Sequence, residues 1–285
     1  MVMKPKIIAV VGPTASGKTK LAIELAHKYN GEVISADSRL VYKGFNIAAA
    51  KPTEDEMEGI PHYLIDIVEP EEDYTAGDYQ RDARDKIEDI LARGKTPIVS
   101  GGTGLYFRVL LEHYNLPQVE TDYDLRAELE QKTREDLVED VKTLDFKTFE
   151  TITKDTSKRR IIRILELIKT LGKPLSEVDT QKEPEYDVEW VIPEMPSREW
   201  LYDRINRRVD LMLEQGIVEE TKNLLAKHGR IQNFTETIGY KEILAYLDGE
   251  WTLEEALDKL KQHTRNYAKR QLTWFRKNPH LKINI

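Results

Sequence analysis

The 285-residue sequence contains no cysteine, which excludes disulfide bridges, thiolate metal sites, iron–sulfur clusters and a cysteine nucleophile. It has no apolar run that approaches the roughly 20 residues of a membrane-spanning helix, so we expect no membrane association. The apolar run Ile7–Val11 is only as long as a strand and lacks a small-residue cleavage site, which argues against a signal peptide. These features are typical of a cytoplasmic α/β protein, which we expect to be a monomer.

The charge is unevenly distributed along this acidic chain, whose formal net charge is −8. Residues 54–89 contain fourteen acidic and three basic residues, whereas residues 259–277 contain seven Lys or Arg and no acid. Residues 158–173 contain six Lys or Arg and the single acid Glu166. A charged stretch is often a solvated helix face, but two cationic stretches in an acidic protein also favour a surface that binds a polyanion.

Buried strands and helices alternate at the start of the chain. The predicted elements are a strand at Ile7–Val11, a helix at Lys18–Tyr29, a strand at Val33–Ala36, a helix at Thr75–Arg93 and a strand at Pro97–Ser100. This alternation predicts a parallel sheet with right-handed crossovers.

The second half of the chain is mostly helical. Residues 122–183 show only helical patterns, residues 190–192 resemble a strand, and helices are predicted at about 198–215, 217–228, 237–247 and 252–276. We therefore predict an α/β fold with a P-loop core, in which helices flank a parallel sheet. This core comprises residues 1–115 and 186–285, and residues 116–185 form an all-helical insertion domain.

The segment after the first strand matches the phosphate-loop pattern G-x-x-x-x-G-K-[ST] and opens a helix, as that motif requires. Glycines let backbone N–H groups point at an anion, and the helix N-terminus adds partial positive charge. The lysine offers a cation to the phosphates, and the hydroxyl of Thr19 can bind Mg²⁺. The predicted diphosphate-binding residues are Gly12, Pro13, Thr14, Ala15, Ser16, Gly17, Lys18 and Thr19.

Two further features lie where ligands bind in open α/β sheets, and a third lies on one face of a predicted helix. Asp37 follows the second strand and fits a turn or helix cap, a metal ligand, or a functional carboxylate equally well. The glycines of Gly101–Gly104 permit the close approach of a ligand, to which Thr103 offers a hydroxyl. Arg204 and Arg208 are four residues apart, so both can reach one anion, although ordinary surface ion pairs are the alternative.

Seven blocks, in order and over nearly the whole chain, resemble the bacterial members of the tRNA isopentenyltransferase family. The blocks are Gly12–Thr19 (GPTASGKT), Ala36–Gly44 (ADSRLVYKG), Ala50–Thr53 (AKPT), Gly101–Tyr106 (GGTGLY), Arg204–Asp210 (RINRRVD), Ile238–Glu242 (IGYKE) and Tyr267–Arg276 (YAKRQLTWFR). The family prenylates N6 of the adenosine immediately 3′ of the anticodon in tRNA. The resemblance therefore implies two substrates, dimethylallyl diphosphate and the anticodon stem-loop of tRNA, with Mg²⁺ as cofactor.

The resemblance also implies roles for individual residues. Asp37 would accept the proton of the adenosine amino group, and Thr103 would contact the same nucleotide. Lys18, Thr19 and either Arg204 or Arg208 would stabilise the leaving diphosphate. The implied tRNA contacts are Asp37, Ser38, Arg39, Leu40, Thr103, Arg126, Arg159, Arg160, Ile161, Ile162 and Arg163.

The sequence departs from the family pattern at two places. Leu40 replaces the more usual glutamine, and residues 46–51 read NIAAAK where the family usually has DIGTAK. The second change removes a glycine and a threonine, at Ala48 and Ala49, which puts the geometry of this loop in question.

Three alternatives share parts of this pattern. A P-loop small-molecule kinase would bind ATP at the same loop, but adenine-binding and arginine-lid signals are not evident. A prenyltransferase acting on a free adenine nucleotide would have no use for the two basic stretches. A GTP-binding switch needs an N-K-x-D motif, which the sequence lacks.

Overall fold

The computed structural model describes residues 4–112, 116–117, 119, 121–179 and 183–285. Contacts divide the chain into a core unit, Met1–Glu112 with Pro184–Ile285, and a helical unit, His113–Glu183. Residue 115, the predicted end of the first core segment, lies outside the described residues.

The described residues form the following elements in chain order: β1 Lys6–Val11, α1 Lys18–Tyr29, β2 Gly31–Ala36, α2 Glu54–Met57, β3 His62–Tyr63, α3 Ala76–Ala92, β4 Thr96–Gly101, α4 Gly104–Leu111, α5 Tyr123–Glu130, α6 Arg134–Leu144, α7 Phe146–Phe149, α8 Lys158–Leu171, a 3₁₀ turn Leu175–Glu177, β5 Asp187–Val191, α9 Arg198–Glu214, α10 Ile217–His228, α11 Gln232–Thr235, α12 Tyr240–Leu247 and α13 Leu253–Phe275.

The five strands form one parallel sheet in the order β3-β2-β4-β1-β5. Strands β1 and β2 are buried almost throughout, because helices cover both faces of a sheet built from crossovers. The predicted α/β class with a parallel sheet is confirmed.

The long helix α13 closes the core unit. Its N-terminus carries a capping box in which Thr252 and Glu255 satisfy each other's backbone N–H groups. Its buried residues recur at helical spacing and are Ala256, Leu260, Ala268, Gln271, Leu272 and Phe275. The polar Gln271 is thus held on the buried face of the helix.

The helical unit is built around α8, whose apolar face packs against α5 and α6. Its core consists of Leu129, Leu137, Val141, Ile161, Ile162, Ile164, Leu165 and Ile168. Ser157 caps the N-terminus of α8, and Gly172 ends the helix in the left-handed conformation that favours glycine.

Across the described ranges, every helix is too short or too polar to cross a membrane.

Candidate active site

The phosphate loop joins β1 to α1 through a backbone that ordinary residues rarely adopt. Gly12 and Gly17 have φ values of 154° and 96°, and Ala15 lies between them at 61°. Helix α1 begins directly after Gly17, so its unpaired N–H groups face the same space as the loop. The segment therefore has the conformation of an anion-binding turn.

Two side chains of this loop are arranged to meet an anion. The Nζ of Lys18 donates to the carbonyl oxygen of Pro13 at 2.6 Å. The Oγ of Ser16 is buried and lacks a hydrogen-bond partner among the described residues. A buried hydroxyl without a partner is costly, and a bound phosphate oxygen would satisfy it.

Helix α9 directs two arginines at the loop. The Nε of Arg204 donates to the carbonyl oxygen of Ala15 at 2.8 Å, and its guanidinium lies over the ring of Trp200. The Nη1 of Arg208 lies 3.5 Å from the hydroxyl of Thr14, and its Nη2 lies 3.4 Å from the carbonyl oxygen of Ala50. Arg208 is the more buried of the pair.

Asp37 and Thr103 lie at the carboxyl ends of the adjacent strands β2 and β4. The backbone N–H of Thr103 donates to the carbonyl oxygen of Ala36, and the N–H of Ser38 donates to the Thr103 hydroxyl, both at 3.1 Å. The Asp37 carboxylate accepts a hydrogen bond from the N–H of Arg39 at 2.9 Å, which makes a local turn. Asp37 thus forms the turn that was one of its predicted roles, and this turn holds its carboxylate at the sheet edge.

The electrostatics join Asp37 to the phosphate loop. The pKa of Lys18 is lowered to about 8: burial is the main cause, the charge of Arg208 also lowers it, and the charge of Asp37 opposes both effects. Burial also lowers the pKa of Arg208, again against the effect of Asp37. Burial and the charge of Asp37 raise the pKa of Tyr267, whereas a hydrogen bond with Thr103 lowers it. The carboxylate, the two cations and the phenol therefore share one site.

The glycines of residues 101–104 are required by packing within the protein, and the close approach of a ligand that the sequence suggested stays a prediction. A Cβ on Gly101 would overlap the backbone of Ala36. A Cβ on Gly102 would overlap the amide of Gln271, and one on Gly104 would overlap the indole of Trp274. These glycines permit the close approach of β2 and α13, and Thr103 is the member of the segment that offers a side chain to the site.

The loop of residues 46–51 is held by hydrogen bonds from its backbone to one side chain. The carboxylate of Glu220 accepts hydrogen bonds from the N–H of Ile47 at 2.9 and 3.0 Å and from the N–H of Ala48 at 3.3 Å. The Cβ of Ala48 occupies space that the absent side chain of Gly239 leaves open. The loop geometry questioned from the sequence is thus fixed by Glu220.

The remaining predicted tRNA contacts divide between the units. Ser38, Arg39 and Leu40 lie beside Asp37 in the core unit and are partly exposed, whereas Arg126, Arg159, Arg160 and Arg163 lie in the helical unit.

The predicted contact by Ile161 and Ile162 needs correction, because their side chains are buried in the core of the helical unit. Buried Glu166 accepts hydrogen bonds from Arg126 at 3.0 Å and Arg163 at 2.7 Å and so holds both guanidinium groups in place. The isoleucines stabilise the helix that presents the arginines.

Sequence reasoning missed Gln271 and Glu220. The signal for Gln271 was its position, since the spacing of Ala268, Leu272 and Phe275 places it on the apolar face of α13. Glu220 gave no comparable signal, because its partners, two backbone N–H groups and the hydroxyl of Tyr240, are distant in sequence.

Comparisons with known proteins show the family of the chain. The chain matches the family described as IPP transferase over residues 40–278. It is 43% identical to the tRNA dimethylallyltransferase of Bacillus pumilus over 96% of this chain and 87% of that protein. The corresponding enzyme of Acetivibrio thermocellus is 46% identical, over 95% of this chain and 88% of that protein.

Solved structures show the same relationship. A full-length tRNA isopentenylpyrophosphate transferase from Bacillus halodurans is 44% identical with a TM-score of 0.71, over 97% of this chain and 88% of that chain. A eukaryotic dimethylallyltransferase, described as acting on tRNA, is 31% identical with a TM-score of 0.80, over 95% of this chain and 70% of that chain. By sequence match and by fold, the chain belongs to the IPP transferase family.

Proposed function

We propose that this protein transfers a dimethylallyl group from dimethylallyl diphosphate to N6 of the adenosine immediately 3′ of the anticodon in tRNA, with release of diphosphate. The observation that carries the proposal is the convergence of a phosphate loop, two arginines and the carboxylate of Asp37 on one site in a chain of this family. A tRNA substrate implies a cytoplasmic reaction. We also predict that the protein is a monomer.

The reaction breaks the allylic C–O bond and forms a C–N bond. The electron pair of the C–O bond leaves with diphosphate, so negative charge increases on the leaving group. Lys18, Arg208 and the backbone N–H groups of the loop stabilise that charge, because they are fixed donors at a partly buried site. Asp37 accepts the proton that N6 loses, since its carboxylate lies at the sheet edge beside the diphosphate.

The residues present are compatible with Mg²⁺. Within the described residues, no group of three His, Asp or Glu side chains is arranged to hold a metal ion. Mg²⁺ usually keeps several waters and binds through one or two protein oxygens together with substrate phosphates. The exposed hydroxyl of Thr19 in the first turn of α1 is such an oxygen. When bound with the diphosphate there, Mg²⁺ would neutralise charge on the leaving group.

The proposed tRNA contacts are taken for each unit by itself. In the core unit, Ser38, Arg39, Leu40 and Thr103 surround Asp37, so they contact the target nucleotide after it leaves the stack of the loop. In the helical unit, Arg126, Arg159, Arg160 and Arg163 contact phosphates, which supply most of the affinity for RNA.

The test is prenyl transfer to an anticodon stem-loop incubated with the protein, dimethylallyl diphosphate and Mg²⁺, followed by mass spectrometry of the nucleosides. We expect a dimethylallyl group on the adenosine 3′ of the anticodon without added nucleotide triphosphate. A matched stem-loop with guanosine at that position is the control and remains unmodified.

Two outcomes would contradict the proposal. A strict requirement for ATP, with phosphate transferred to an acceptor, would favour a kinase. Equal modification of free adenosine monophosphate and of the stem-loop would favour a prenyltransferase of free nucleotides.

A further inference from the structure

We propose that Gln271 is a positioning residue for the phosphate loop and that it acts through the peptide unit that precedes Thr14. The role of Gln271 in the reaction rests on the proposed function. The effect of Gln271 on diphosphate binding, however, is measurable without any prenyl transfer. Gln271 lies outside the loop motif, on α13 and 257 residues from Thr14 in sequence.

The side-chain amide of Gln271 joins two segments of the site. Its Oε1 accepts a hydrogen bond from the N–H of Thr14 at 2.9 Å, and its Nε2 donates to the carbonyl oxygen of Gly102 at 2.9 Å. The residue is 5% exposed, so water does not readily replace either bond. Glutamine suits this place because its amide carries an acceptor and donors at one end of the side chain.

The peptide unit between Pro13 and Thr14 is held at both of its polar ends. Its N–H donates to Gln271, and its carbonyl oxygen accepts the bond from the Nζ of Lys18 at 2.6 Å. Because a peptide unit is planar, the direction of its N–H fixes the direction of its carbonyl. Gln271 therefore determines where the carbonyl that binds Lys18 points.

This arrangement has a consequence for the charged end of the loop. Lys18 is the mobile cation of the motif, and the position of its ammonium before diphosphate arrives depends on the Pro13 carbonyl. Without Gln271 the peptide unit is held only at its carbonyl, by Lys18 and by a longer bond of 3.4 Å from the N–H of Ser16. The ammonium and the neighbouring N–H groups then lose part of their fixed directions. The loop must then become ordered when the anion binds, and the free-energy cost of this ordering weakens binding.

The test compares Gln271→Met with the wild-type chain and with Thr273→Ala. Methionine keeps the length and apolar packing of the side chain but removes both bonds. Thr273→Ala is the matched control on α13, because it removes an exposed bond within the helix. Affinity for inorganic pyrophosphate with Mg²⁺ is measured by calorimetry on the full chain, and the Michaelis constants for both substrates follow from prenyl transfer.

In Gln271→Met we expect pyrophosphate affinity to fall about tenfold and the Michaelis constant for the diphosphate donor to rise about tenfold. This is the scale of one lost hydrogen bond that leaves a buried group unpaired. The Michaelis constant for the stem-loop and the behaviour of Thr273→Ala should match the wild type. In a Lys18→Ala background the effect of Gln271→Met should become clearly smaller, because the part of it that acts through the Lys18 ammonium is already lost.

A second variant keeps the proposal testable if Gln271→Met does not fold. Gly102 has a backbone conformation outside the left-handed region, so Gly102→Ala changes little except that its Cβ displaces the Gln271 amide. It should reproduce the loss of pyrophosphate affinity.

Wild-type pyrophosphate affinity in either folded variant would overturn the inference, as would full additivity with Lys18→Ala. Failure of the wild-type chain to transfer a prenyl group would instead refute the proposed function, while the pyrophosphate comparison would still decide the role of Gln271.

Discussion

Arg204 and Arg208 lie one turn apart on α9 and both reach the phosphate loop, yet their surroundings differ. Arg204 is exposed, bonds to the Ala15 carbonyl and lies over Trp200. Arg208 lies deeper, with its guanidinium between Thr14 and Ala50, and interacts with the charge of Asp37. The sequence nominated both, and this geometry favours Arg208 as the residue that meets developing charge on the diphosphate.

Arg208→Ala should therefore lower the single-turnover rate of prenyl transfer by about 10²–10³, the usual cost of removing one preorganised donor. Arg204→Ala should lower it by no more than about tenfold, because an exposed cation is screened by water. Quench-flow measurement with saturating stem-loop compares the two variants directly. Reversed magnitudes would assign the diphosphate contact to Arg204.

The sequence predicted those elements that each have a strong local pattern. β1, the phosphate loop and α1 follow from a buried apolar run, a specific motif and a helical apolar face, and α10 was predicted at its observed bounds. It missed α2 and β3, which have four and two residues and so are too short for a periodic pattern. It also missed α4, because residues 104–111 are almost uniformly apolar and show no periodic polar face.

The candidate site was predictable in its motifs but not in its contacts. Phosphate-loop residues follow from local spacing, whereas the bonds of Gln271 to Thr14 and Gly102 join segments far apart in sequence. The role of the glycines depends in the same way on the helix that packs against them. A sequence contains the residues of such contacts but not the distances between them.

Asp37→Asn should reduce the rate of prenyl transfer by about 10²–10⁴, because the amide keeps the shape of the carboxylate but cannot accept the N6 proton. Affinity for the stem-loop should change little, since phosphate contacts supply most of it. Asp85→Asn, at an exposed position on α3, is the matched control. Loss of stem-loop affinity with an unchanged single-turnover rate would make Asp37 a binding residue.

Arg159→Glu combined with Arg160→Glu should weaken stem-loop binding and flatten its dependence on salt, because fewer counterions are released. These two side chains are exposed on α8, whereas Arg163 is held by Glu166 and its reversal would disturb the core of the helical unit. Affinity for dimethylallyl diphosphate should stay unchanged. Lys147→Glu combined with Lys154→Glu reverses two exposed charges outside α8 and is the control for net charge. An equal loss there would refute a specific basic face on α8.

Glu32 should make the core unit sensitive to acid. Hydrogen bonds from Arg93, with further bonds from Lys95 and Tyr63, outweigh burial and lower the pKa of this carboxyl from 4.5 to about 2. Its folded pKa is depressed, so the stabilisation is complete above pH 4.5 and is lost as the pH falls toward 2. Glu32→Gln should lower the free energy of unfolding by roughly 3 kcal/mol at neutral pH and flatten its acid dependence in urea titrations. If the acid transition is unchanged in Glu32→Gln, other carboxyls cause the acid sensitivity.

Lys18 should make binding of the diphosphate donor depend on pH near 8. Its pKa, lowered to about 8 mainly by burial, means that the ammonium is charged below that pH and neutral above it. Diphosphate binds the charged form better, so affinity should fall as the pH rises through 8, by up to about tenfold per pH unit. Calorimetry with dimethylallyl diphosphate in the absence of RNA measures this profile.

Three variants identify the titrating group. Lys18→Arg keeps its charge at all these pH values, so its profile should be flat. Arg208→Ala removes a charge that lowers the pKa of Lys18 and should move the midpoint upward, whereas Asp37→Asn removes a charge that raises it and should move the midpoint downward. Opposite shifts from two residues on either side of one ammonium are specific to Lys18, and a profile that Lys18→Arg leaves intact would assign the titration elsewhere.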